Sequence, residues 1–132
     1  MPHLISFATT RFDPAAEKPN PINPIAGHSV LLWLKDELVR ANYRVTEPDA
    51  EDWGWYMDVH DAAAAYMVGA SADPAASPGP VEWMIQVHKH RSMSDKLLGR
   101  NKMTADDRLS AAIERLVRAD ATVQHVSVTR DE

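Results

Sequence analysis

Four apolar side chains at every second position, Val81, Trp83, Ile85 and Val87, alternate with Glu82, Met84, Gln86 and His88. This period of two predicts a β-strand with one face in a core and the other wetter. A helix would scatter the same four residues around its circumference. Trp55 to His60 repeats the pattern, with Trp55, Met57 and Val59 against Tyr56, Asp58 and His60. Tyr66 to Ser71 reads as a short strand between these two, rich in small residues. His3 to Thr10 reads as a first strand, Tyr43 to Val45 as a short second one, and residues 122–128 as the last. Residues 73–80, "DPAASPGP", read as a turn-rich hairpin connection.

Two segments have helical spacing instead. Val30, Leu31, Leu34, Leu38 and Val39 place a helix over residues 26–42. Leu109, Ala112, Ile113, Leu116 and Val117 place another after Thr104-Ala105-Asp106-Asp107, where Thr104 is the expected N-cap. "SDKLLG" before it predicts one helical turn ended by Gly99. Residues 13–25 carry prolines at 14, 19, 21 and 24, which predicts a long extended loop pinned by Ile22 and Ile25. Loops of this length are functional or mobile in many compact domains. The expected order is β-α-β-β-β-β-α-β in one domain over residues 1–132. The fold class is α+β: a single mainly antiparallel sheet with two helices packed on one face.

Composition narrows the chemistry. A chain of 132 residues can bury roughly two thirds of its unfolded surface, so its core needs no metal or disulfide. Cysteine is absent, which excludes disulfides, thiol nucleophiles and zinc–thiolate sites. No apolar run reaches the ~18 residues of a membrane helix. No secretory pattern is visible at the start, so a cytoplasmic location and no membrane partner are expected. The net charge of −5 argues against nucleic-acid binding. That charge is uneven: residues 1–83 hold five basic and twelve acidic side chains, residues 84–132 nine and seven.

Three groups of residues carry candidate chemistry. The first is an acidic-aromatic segment, residues 47–56, in which Glu51, Asp52, Trp53 and Tyr56 suit a protein contact. The second is a basic segment, residues 88–102, with Lys89, Arg91, Lys96, Arg100 and Lys102; it suits an acidic partner or a small anion such as phosphate. The third is a metal set, Asp58, His60, His88 and His90, which imposes a demanding geometry. Strands two apart start ~9.6 Å from each other, while ligands must converge to about 2 Å from one ion. No phosphate-binding glycine loop and no nucleophile elbow is present.

The start "MPHLI" resembles that of the tautomerase superfamily over these few residues only. The resemblance implies an enzyme in which Pro2, freed of Met1, acts as a base, its secondary amine brought toward neutrality by desolvation.

These readings lead to an expectation: a small soluble interaction or regulatory module without catalytic residues or a cofactor. It binds a protein partner, or itself as a dimer, through residues 47–56 and 88–102. The rival expectation is a metal-dependent enzyme in which Asp58, His60, His88 and His90 hold a divalent ion such as zinc that activates water.

Overall fold

In the computed structural model, which describes residues 2–73 and 79–130, the period of two sorts one sheet into a covered and an uncovered face. The elements are β1 (His3–Thr9), α1 (His28–Arg40), β2 (Arg44–Val45), β3 (Asp49–Glu51), β4 (Gly54–His60), β5 (Ala65–Ser71), β6 (Val81–Lys89), α2 (Met93–Leu98), α3 (Arg108–Ala119) and β7 (Gln124–Thr129). The sheet runs β2-β4-β5-β6-β1-β7, and β3 shares with β2 the outer edge of β4. Every pairing is antiparallel. The α+β architecture is the expected one, with β4, β5 and β6 as a meander and β1 inserted between β6 and β7.

The core lies on the odd-numbered side of β6. Val81, Trp83, Ile85 and Val87 are buried there with Ile5 and Phe7 of β1, Trp55, Met57 and Val59 of β4, and Tyr66, Val68 and Ala70 of β5. The helices close this face: α1 packs on β4 and β5, α3 on β1 and β7. They contribute Val30, Leu31, Leu34 and Leu38, and Leu109, Ile113 and Val117. Burying one such large apolar side chain contributes about 1.5–3 kcal/mol, so the covered face supplies the main driving force.

Several local expectations are corrected. β3 went unread because Asp49-Ala50-Glu51 has little strand propensity; its pairing comes from the tight hairpin that sets Glu51 opposite Gly54. The N-cap of α3 is Asp107, not Thr104: its carboxylate accepts from the Ser110 N–H, while Thr104 donates to Asp106. Val39 points away from the core and is exposed. The connection expected over residues 73–80 lies largely outside the described residues.

Of the two isoleucines expected to pin the proline-rich loop, Ile25 is partly buried but Ile22 is exposed. Polar side chains fasten it further. Glu17 accepts from the backbone N–H groups of Gly27, His28 and Ser29 at 2.6, 3.0 and 2.9 Å, and from the Ser29 hydroxyl. It thus caps α1 from a distance, satisfying donors that every helix start leaves free. Asn20 donates to the carbonyls of Glu51 and Gly54, and Asn23 donates to that of Asp52. Gly27 is required by close approach, because a Cβ there would lie 2.2 Å from the Ala70 carbonyl oxygen.

Replacing Glu17 with alanine strips the cap of α1 and one anchor of the loop. The expected loss is about 1–2 kcal/mol, read as a lower urea midpoint at unchanged m-value. An unchanged midpoint would mean that the loop rests on α1 without holding it.

Candidate functional site

The uncovered face is built from the even-numbered residues of β6 and their neighbours across the ladder. One row runs Tyr56, Gly69, Gln86, Leu4 and Thr129. The next runs Asp58, Met67 and His88, and the last sets His60 opposite Ala65. His90 continues that row, its N–H donating to the Ala65 carbonyl at 2.8 Å. At the other end of the face stands exposed Glu82.

Trp53 and Trp55, only two residues apart, fall on opposite sides of the sheet. Trp55 is buried in the core. Trp53 sits in the β3–β4 turn, and its ring lies over Gly69 on the uncovered face, 2.4 Å from where a Cβ would stand. The turn breaks the strand alternation between the two. Trp53 and Tyr56 are half-buried, Glu51 is partly exposed and Asp52 fully so. Tyr56 and the Trp53 ring therefore lie mid-face, in the Gly69–Gln86 row and one row from His88, with Glu51 and Asp52 beyond them at the β3–β4 turn. Exposed Glu82 lies six strand steps, about 20 Å, from His88 along β6.

The four residues of the metal set share the uncovered face but do not gather into one. Asp58 Oδ1 lies 3.9 Å from His90 Nε2, both side chains being exposed. His88 Nε2 contacts Gln86 Oε1 at 3.1 Å instead. Among the described residues no three ligating side chains form a group that could hold a metal.

The basic residues divide into two groups. Lys96 and Arg100 are exposed, with the Arg100 Nε 3.7 Å from Asp95. Lys89, Arg91 and Lys102 line one cavity with His88 and Pro2. The Arg91 guanidinium is fixed from behind by the carbonyls of Arg100 and Asp95, at 3.1 and 3.3 Å. Lys89, only 16% exposed, reaches Asp107 at 3.5 Å. Asp107 also accepts from the Tyr66 hydroxyl at 2.8 Å. Burial and that carboxylate push the Tyr66 phenol far above its usual range, so it stays a proton donor. Nothing in the local sequence marks Asp107 and Tyr66 as site residues.

Helix α2 interrupts the basic segment with apolar surface. Ser92 and Asp95 form a reciprocal capping box, and Gly99 closes the helix in the left-handed region at φ 67°. No residue of α2 is buried. Met93, Leu97 and Leu98 are 77, 84 and 66% exposed beside Lys96 and Arg100. The spacing that signalled a helix gave no hint of this exposure.

No protein-family model, no curated protein and no solved structure matches this chain.

Burial holds the imidazoles of His28 and His88 below their ordinary range. His28 packs edge-on against Trp55, with ring centroids 4.6 Å apart. Near pH 6, the unfolded chain therefore binds more protons at these two positions than the folded one. Stability is complete above the unfolded value of about 6.5 and declines as pH falls through it toward the folded values. The urea midpoint is expected to drop between about pH 7 and pH 5.5, and by less in His88→Gln. Imidazole proton resonances of His88 that titrate at or above the ordinary value would contradict this assignment.

Proposed function

We propose that this protein is a small interaction module that associates through the uncovered sheet face and α2, and that the partner its own chemistry fits is a second copy of the chain. The observation that carries the reading is the exposure of Met93, Leu97 and Leu98 on a six-residue helix flanked by Lys96 and Arg100. Large apolar side chains inside a polar rim are the usual make-up of a docking surface.

Charge complementarity favours the second copy. One end of the uncovered face carries Glu82, with Glu51 and Asp52 at the β3–β4 turn; the other carries His60, His88 and His90, and the chain runs on from that end into Arg91 and α2. A two-fold axis lying across the strands reverses the strand direction between copies. Each acidic end then meets a basic end, and the contact is made twice. Trp53 of one copy comes opposite the apolar residues of α2 on the other, an aromatic anchor of the kind that dominates interface energetics.

Sedimentation of the whole protein over a concentration series is expected to show a reversible monomer–dimer equilibrium that weakens with added salt. Leu97→Asp and Glu82→Lys should each raise the dissociation constant by about tenfold or more. Both residues are exposed, so neither change disturbs the core. A monomer at every concentration would refute the reading. So would a dimer indifferent to both substitutions.

A further inference from the structure

A second feature at the same end of the sheet is concave rather than protruding. The strand end of β6 and the segment before α3 enclose a cavity of about 380 Å³, within the range of small-molecule sites. Lys89, Arg91 and Lys102 line it, together with His88 and Thr104. Pro2 and Met103 give it an apolar wall.

Its cations are organised differently from a loose surface patch. Arg91 uses two N–H groups on backbone carbonyls, which leaves three of its five donors for a ligand. Lys89 is largely enclosed, its ammonium between Asp107 at 3.5 Å and the Tyr66 ring at 5.8 Å. Lys102 folds back over Gly99 and has no carboxylate partner among the described residues. Asp107, which does not line the cavity, neutralises Lys89, so Arg91 and Lys102 leave two positive charges there. A carboxylate ligand would neutralise one of them, and a doubly ionised phosphate both. A guanidinium fork beside an ammonium group is a common arrangement for phosphate oxygens.

We infer that this cavity binds a small phosphate monoester, with Arg91 and Lys102 on the phosphate group, the Lys89 stem at its wall, and Pro2 and Met103 against the organic group. Lys96 and Arg100, which share the segment, take no part. The site is independent of self-association: a monomeric protein would retain it.

The test is titration of the whole ¹⁵N-labelled protein with inorganic phosphate and, separately, with phenyl phosphate, at constant ionic strength set by chloride. Both probes should give saturable shifts confined to the amides around Lys89, Arg91, Lys102 and Thr104, with phenyl phosphate the tighter. Lys102→Gln should weaken both by about tenfold, as expected for one charge-assisted hydrogen bond. Lys96→Gln, with the same loss of charge outside the cavity, should leave both constants unchanged. Equal weakening by the two variants would overturn the site in favour of diffuse attraction. The absence of saturable shifts with either probe would overturn it outright, and equal affinity for the two probes would overturn the place assigned to the organic group.

Discussion

The burial of one face of the sheet under two helices is the constraint on which the rest of this molecule depends. Because side chains alternate along a strand, placing Trp83, Ile85 and Val87 beneath the helices forces Met84, Gln86 and His88 onto the other side. A slip of one residue would exchange the two sets, so core packing also fixes the composition of the uncovered face. The same constraint carries the acidic turn and the basic strand end to opposite ends of that face. Polar contacts then refine the frame: Glu17 and Asn20 strap the long loop over the start of α1 and the β3–β4 turn, and Asp107 ties α3 to β5 and β6 through Tyr66 and Lys89.

The edges of the sheet are also managed. β3 is three residues long and carries two carboxylates at one edge. At the other, the register of β7 against β1 shifts between Ser6 and Ala8, where His125 adopts φ 56°. Short, charged or bulged edges resist strand addition. The association proposed through the uncovered face and α2 would therefore not compete with edge-to-edge pairing.

Much of this frame was legible in the sequence because its signals are local. Strict alternation gave β4 and β6, and the 3.6-residue spacing gave both long helices. The sides of the sheet followed from parity alone. What escaped depends on partners distant in the chain. β3 exists because a turn returns it to β4. Glu17 acts on a helix more than ten residues away, and nothing about an isolated glutamate in a proline-rich run announces a remote cap. Asp107 was readable as a helix-start residue but not as the junction of Tyr66 and Lys89. For the candidate sites, sequence supplied the inventory of charges; only three-dimensional placement separated Lys89, Arg91 and Lys102, which line one cavity, from Lys96 and Arg100, which do not.

The absence of cysteine makes the central claim open to direct measurement, because a single introduced thiol is the only one present. The claim is that position 84 lies on a face free in the monomer and covered by a second copy, while position 85 lies in the core. Thiol labelling of Met84→Cys should be rapid in dilute native protein and slow as the concentration is raised, whereas Ile85→Cys should remain protected until the protein unfolds. Rapid labelling of Ile85→Cys in the native state, or a Met84→Cys rate indifferent to concentration, would contradict the account.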